Sequence, residues 1–551
     1  MSDRREPDAA VWWQHGVVYQ VYPRSFRDAN GDGIGDLAGV LEKIDYLSGT
    51  LGVDAIWLSP FYPSPMADFG YDVSDYCDVD PTFGDLATFD ALVAAAHARG
   101  VRIIVDFVPG HTSNQHAWFQ ASRSSRDNPY RDWYVWRDPK PDGSPPNNWA
   151  ATFGGSAWQR DDLTGQLYLH SYLPEQTDLN WRNPAVRAAM LDVLRFWLDR
   201  SVDGFRMDAL GRIAKDPLLR DNPVNPEATG DFHKAMGDYD RQIHVNDQRH
   251  EDIHGYLAEM RTVLDRYEAA DGRPRVAIGE IHIYDLSELG RYYGATLDEL
   301  HLPFNFGLLK LPWAARAIRD HVDAYEASLP PGAWPNYVLG NHDEARIATR
   351  VGVGHARLAM LLLLTLRGTP TLYYADELGM EDVPVPPERA QDPWGMRVPG
   401  LNLSRDPERA PMPWTAQPNA GFCPPDVEPW LPIAPDLAQV NVETQLGDPR
   451  SMLSLTRQLL ALRRASPALT RGSYRALDWP GLPDTCYLFV RENAEERLLV
   501  ALNFGDDALE VALPDGLHAT LLLSTRLDRP EAAIPGALAL RPAEGIVARL
   551  A

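Results

Sequence analysis

Short apolar runs alternate along this chain with amphipathic stretches. "GVVYQVYP" (16–23) is rich in β-branched and aromatic residues and predicts a strand. "VLEKIDYLSGTLG" (40–52) follows with apolar positions at helical spacing. The alternation recurs. Further strands are predicted at "VDAIWLSP" (53–60), "VRIIVDFVPGH" (101–111), "VDGFRMDAL" (202–210) and "RVAIGEI" (275–281). A less clear one lies near "ELHLPFNF" (299–306), then "PNYVLGNHD" (335–343) and "TPTLYYADELG" (369–379). Helical pattern such as "TFDALVAAAHARG" (88–100) fills the intervals. Eight strands alternating with helices predict an α/β fold, a parallel (β/α)₈ TIM barrel, with its chemistry at the C-terminal strand ends. The longest apolar run, "LAMLLLLTL" (358–366), is shorter than the roughly 20 residues that span a bilayer and predicts a buried helix.

Three segments break the alternation. Residues 107–177 are too long for a simple loop and read as an excursion domain over the barrel mouth. A Pro-rich insertion at about 380–447 follows the eighth strand and predicts a lid. "TCYLFVRE", "RLLVALNF", "LEVALP" and "ATLLLST" then predict a C-terminal antiparallel β-sandwich. The expected division is a barrel of 1–106 and 178–471, the excursion 107–177, and the sandwich 472–551.

Composition narrows the partners. The chain has 551 residues, 44% hydrophobic and 23% charged, as in a soluble globular protein. A net charge of −25 argues against nucleic acid or an anionic membrane as partner and suits a neutral small molecule. Cys77, Cys423 and Cys486 are too scattered for a disulfide framework or a metal cluster. The N-terminal "MSDRREPDAA" lacks the apolar core of a leader peptide. The expectation is a cytoplasmic monomer or homodimer.

The predicted strand ends carry the chemistry. In "GFRMDAL" (204–210), Arg206 and Asp208 share one strand face by period-two alternation. Asp106 and His111, Glu280 and His282, and Asn341, His342 and Asp343 stand at the ends of three other strands. One such pair could be a structural ion pair. Acids on four strands point instead to catalysis, with Arg206 holding Asp208 ionised. Glycoside hydrolysis uses one carboxylate as nucleophile and a second, protonated, as acid. A two-metal phosphatase would show closer His/Asp pairs. Glu280 lies among Ile278, Gly279 and Ile281, an apolar setting expected to raise its pKa.

"DFVPGHTS", "GFRMDAL", "IGEI" and "LGNHD" resemble the four ordered signature segments of the α-amylase family of retaining glycosidases. The resemblance runs from about Trp12 to the C-terminus. "HGVVYQVYPRSFRDANGDGIGDL", "FGYDVSDY", "QTDLN" and "RAPMPW" look like its α-glucosidase and oligo-1,6-glucosidase branch. The resemblance implies Asp208 as nucleophile, Glu280 as acid and base, and Asp343 as stabiliser of the distorted sugar. It implies Arg206 as orienter of Asp208, and His111 and His342 as hydroxyl binders. Retention would place the Asp208 and Glu280 carboxyls about 5 Å apart. Tyr71 would stack on the sugar, with Phe153 a further apolar wall. Asp72 would bind outer hydroxyls and pair with Arg405, favoured over Arg409, closing the pocket for attack on chain ends.

"DANGDGIGD" (28–36) spaces Asp28, Asn30, Asp32 and Asp36 among glycines, as in an oxygen-lined Ca²⁺ loop. It lacks the closing Glu of an EF-hand, and a polar turn would read the same way. Relatives bind one structural Ca²⁺ there, with the Ile34 carbonyl. Gly110 stands where the family has an Asn that holds another calcium, which argues against that second site. In this branch the residue after the nucleophile tends to be Val in α-1,6-preferring members, so the resemblance implies that Ala209 leans toward α-1,4 linkages, with others tolerated. The resemblance implies an exo-α-glucosidase acting on small oligosaccharides. A transglucosylase or sucrose/maltose isomerase would use the same glucosyl-enzyme. A non-enzymatic transporter ectodomain would lack the acids that this chain keeps.

Overall fold

The computed structural model describes residues 11–228, 234–479, 481–514 and 516–551. The N-terminal stretch read above as no leader, 1–10, lies outside them. Eight strands form one parallel sheet: β1 (Val18–Val21), β2 (Ala55–Leu58), β3 (Arg102–Phe107), β4 (Gly204–Met207), β5 (Val276–Gly279), β6 (Leu302–Pro303), β7 (Asn336–Val338) and β8 (Thr369–Tyr373). Their order is β6–β5–β4–β3–β2–β1–β8–β7, the sequence of a (β/α)₈ barrel. The weakest predicted strand, β6, spans only two residues, because Pro303 has no N–H for a ladder. At the β6–β7 seam the Asn336 side chain takes over. Its Oδ1 accepts from Asn305 N at 3.1 Å and its Nδ2 donates to Leu302 O at 3.5 Å.

Strand parity divides the core. Trp57, Ile104, Val276, Ile278, Phe304 and Val338 pack together in one buried cluster. Their odd-register neighbours Ile56, Val105, Phe205 and Ala277 belong to a second cluster with the surrounding helices. Asp106 is opposite Arg206, and Arg206 is opposite Ile278. The two charges therefore share a level and a face, and Asp208 and Glu280 lie one pleat higher. Gly204 makes the approach of β4 and β5 possible: a Cβ there would stand 2.4 Å from Val276 Cγ1.

The barrel helices begin on side-chain caps. Asp85 accepts from Thr88 N ahead of Leu86–Ala98, and Asn183 accepts from Ala185 N ahead of Pro184–Asp199. The apolar run at 358–366 falls largely within the buried helix Val353–Thr365. It is apolar all round because the C-terminal sheet covers its outer side: a Cβ on Gly545 would meet Leu358 and Leu361 at 2.9 and 3.3 Å. That sheet has six antiparallel strands, and the ribbon Leu509–Ala512 with Ala537–Leu540 packs on it over Leu488, Leu499, Val511 and Leu538. Between β3 and β4, His111–Ser113 pairs with Gln176–Asp178, and a three-stranded sheet is built from Trp136–Arg137, Trp158–Arg160 and Leu167–Leu169. Among the described residues, no helix is long and apolar enough to cross a membrane.

Candidate active site

Arg206 is fully buried and holds three carboxylates. Its Nη1 is 2.7 Å from both Asp106 Oδ1 and Asp208 Oδ1, and its Nη2 is 2.8 Å from Glu280 Oε2. Asp106 is anchored from below by Trp57 Nε1 at 2.9 Å. The Ala209 N–H donates to Glu280 Oε2 at 2.9 Å, and His282 Nε2 lies 3.2 Å from Oε1. Ala209 reaches this position through a left-handed backbone, φ 45°.

The expected rise in the Glu280 pKa does not occur. Residues adjacent along the strand point to opposite faces, so Ile281 packs outward with the helices and the carboxyl meets Arg206 instead. Burial raises Glu280, but Arg206 and His282 outweigh it and hold it at about 2. Asp208 is raised well above the usual carboxylate range. Burial is the main cause; Arg206 opposes it, and the charges of Glu280 and Asp106 add to it. The expectation that Arg206 holds Asp208 ionised is therefore not met: one guanidinium is shared among three buried acids, and Asp208 and Glu280 titrate as a coupled pair.

Asp343 sits across the pocket. Its Oδ1 accepts from Arg405 Nη1 at 3.1 Å and Arg409 Nη2 at 2.9 Å. Burial raises its pKa, but His342, Arg405 and Arg409 together hold it well below the ordinary value. His342 bridges to Tyr71, whose hydroxyl is 2.7 Å from its Nε2, and to Gln20 at 2.8 Å. Burial pushes His342 down to about 3 and His111 to about 4, so both rings are neutral hydrogen-bonding groups near neutral pH. His111 Nε2 is 3.0 Å from Tyr71 O.

The structure corrects the partner of Arg405. Its Nη2 donates to Asp68 Oδ1 at 2.7 Å, and Asp392 takes a second bond at 2.6 Å. Asp72 faces away. Its Oδ1 accepts from Ser64 Oγ and Asp68 N at 2.8 and 2.9 Å, and its Oδ2 from Ala67 N at 2.9 Å. The turn between the two acids passes through Phe69 and Gly70, both at positive φ, and sends them to opposite sides. Asp72 therefore shapes the turn that presents Asp68.

The same pocket is lined by Tyr71, His111, Phe153, Asp208, Ala209, Glu280, Asp343 and Arg405. Arg206, His342 and Arg409 lie directly behind these residues. Phe153 stacks on Trp394 at 5.0 Å, with the Arg405 guanidinium 4.9 Å from the Phe153 ring centre. Asp68, Tyr172, Gln176, Lys234 and Trp394 also line the pocket, and the sequence reading missed them. Gln176 stood inside the quoted motif "QTDLN" and Asp68 immediately precedes "FGYDVSDY"; Lys234 and Trp394 carried no signal. Gly110 lies outside the lining, and a Cβ there would meet only Ile213, at 3.8 Å.

Residues 28–36 form a separate loop. Asp28 accepts from Gly31 N and Gly33 N at 2.6 and 2.8 Å, and Asp36 Oδ2 accepts from Ala29 N and Asn30 N, both at 3.1 Å. Asn30 Oδ1 accepts from Asp32 N, and Asp32 Oδ1 from Ile34 N. Among the described residues no three acidic, imidazole or thiol side chains converge as metal ligands.

Four acids at barrel strand ends, three of them held by one buried arginine, are the equipment of a glycoside-cleaving barrel. The description "Alpha amylase, catalytic domain" matches residues 20–472, and the chain belongs to that family of glycoside hydrolases. Among curated proteins, the chain is 42% identical to a probable alpha-glucosidase of Rhizobium meliloti (strain 1021), over 93% of each chain. It is 38% identical to an oligo-1,6-glucosidase of Heyndrickxia coagulans, over 93% of this chain and 95% of that protein. Among solved structures, it resembles the alpha-glucosyl transfer enzyme XgtA at 43% identity and TM-score 0.91, over 98% of this chain and all of that one. The trehalulose synthase MutB from Pseudomonas mesoacidophila MX-45 superposes with TM-score 0.87 at 36% identity, over 98% of this chain and 100% of its own.

Proposed function

We propose that the protein is a retaining, exo-acting α-glucosidase. It releases glucose from non-reducing ends of short α-glucosides, prefers α-1,4 linkages and tolerates others. The observation that carries this reading is Arg206 held between Asp208 and Glu280 at 2.7 and 2.8 Å. Sharing one guanidinium brings the two carboxyls close together. That proximity suits retention, because an inverting pair stands roughly 6.5–9.5 Å apart to admit a water between them.

In this reading Asp208 attacks the anomeric carbon and Glu280 protonates the departing oxygen. The reaction needs the proton on Glu280 and Asp208 ionised, and Arg206, paired with both carboxyls, keeps them close enough for one proton to pass between them. Glu280 later takes a proton from water to release glucose. Asp68 and Arg405 close the inner end of the pocket, which supports attack on chain ends only. The test is a substrate panel of maltose, isomaltose, sucrose, trehalose and nigerose with products identified. Glucose from maltose is the expected result.

The likeness to a glucosyl transfer enzyme and a trehalulose synthase favours one alternative: a sugar, not water, resolves the same intermediate. Product analysis at high maltose separates the two, since transfer yields a new oligosaccharide.

We also propose a single structural Ca²⁺ in the 28–36 loop. Asp28, Asn30, Asp32, Asp36 and the Ile34 carbonyl offer only oxygen, the chemistry this ion takes. The Asp36 pKa is raised by burial and by the charge of Asp28, and a bound cation would offset both. The unpaired Cys77, Cys423 and Cys486 suit a reducing cytoplasm.

A further inference from the structure

We propose that Lys234 forms the aglycone side of the pocket, and that it selects a sugar as leaving group or acceptor by donating to one of its hydroxyls. The proposal rests on the glucosidase reading above and names a specificity residue for it.

Depth orders the pocket. The side chains of Asp68 and Arg405, each 5% exposed, are its inner end. The side chains of Lys234 and His282, at 23% and 27%, are at its rim. A glucose seated against Asp68 and Arg405 directs its linkage oxygen to Glu280. The next unit must then leave between His282 and Lys234.

Lys234 is built to meet that unit. Its Nζ donates to Asp343 O at 3.0 Å and lies 4.7 Å from the Trp394 ring centre. Glu344 Oε2 is 3.9 Å away, beyond direct hydrogen bonding. An ammonium has three N–H bonds, so donor capacity remains beyond the one to Asp343. Trp394 is itself stacked on Phe153, which fixes the aromatic floor under the ammonium. The chain has only five lysines among 52 basic residues, and one of them stands here. A single rotatable ammonium, unlike an arginine fork, can follow hydroxyls of differing orientation, which fits tolerance of several linkages.

A purely structural role is the competing account. In it Lys234 would only tie its loop to the Asp343 carbonyl and offset nearby acids, and its loss would weaken every substrate alike. The experiment compares kcat/KM on maltose with kcat/KM on p-nitrophenyl α-glucoside, whose aglycone has no hydroxyl. In Lys234→Met the maltose-to-aryl ratio should fall about fivefold or more, chiefly through KM for maltose, and Lys234→Arg should restore part of it. A ratio within about twofold of the parent in both variants would overturn the proposal. If circular dichroism shows that Lys234→Met does not fold, Lys234→Ala is judged by the same ratio. No glucose release from either substrate by the unsubstituted protein would overturn the glucosidase reading itself, and this proposal with it.

Discussion

Arg405 donates to Asp68 at 2.7 Å and with the same guanidinium reaches Asp343 at 3.1 Å. One cation thereby joins the segment after β2 to the acid at the end of β7. Asp68→Ala is expected to raise KM for maltose by about tenfold or more while the fold persists, since a bonded carboxylate in the sugar site is lost. Asp72→Asn should act on stability instead, costing about 1–3 kcal/mol, because its oxygens satisfy two backbone N–H groups and a hydroxyl. Steady-state kinetics and thermal melting of the two variants check the assignment. A KM effect confined to Asp72→Asn would reverse it.

Ala209 couples backbone conformation to chemistry. Its φ of 45° is uncommon for a residue with a side chain, and its N–H fixes Glu280. Ala209→Val should lower the melting temperature, since β-branching resists this backbone, at a cost on the order of 1 kcal/mol. It should also raise the isomaltose-to-maltose ratio of kcat/KM. An unchanged ratio would remove Ala209 as a linkage determinant.

Glu408 is buried near the Asp343 wall, and burial pushes its pKa up to about 8, with Lys234 opposing the rise and Asp382 adding to it. The folded form therefore holds a proton that the unfolded chain releases near pH 4.3. The stability from this group is full below that value and is lost as pH rises through about 8. Glu408→Gln should flatten the decline in melting temperature between about pH 5 and pH 8.5. A decline as steep as the parent's would assign it to other groups.

Calcium should raise the melting temperature of the metal-stripped protein, and Asp28→Asn with Asp32→Asn should abolish that rise. Melting is the readout because the loop stands apart from the pocket. No calcium-dependent shift in the parent would remove the ion from the account.

Legibility in the sequence followed the range of the interactions. Strand order and the inward face of Arg206 and Asp208 are local, because parity is set by the chain itself. Asp106, Glu280 and Asp343 were visible for the same reason. The choice between Asp68 and Asp72 was not, since it depends on two positive-φ residues inside the turn. The Glu280 environment misled because sequence neighbours stood in for spatial ones, and the decisive neighbour, Arg206, comes from another strand. Lys234 and Trp394 meet across 160 positions of chain, a contact that no local pattern encodes.

The central claim is that Asp208 forms a covalent bond to glucose and that Glu280 then activates water to break it. Glu280→Gln should slow that second step while an activated substrate, 2,4-dinitrophenyl α-glucoside, still glucosylates the protein. The measurement is mass spectrometry of the acid-quenched reaction followed by peptide mapping. The account predicts one added glucosyl unit on the peptide that carries Asp208. A glucosyl unit on any other residue, or continued turnover with no adduct and an inverted sugar product, would contradict it.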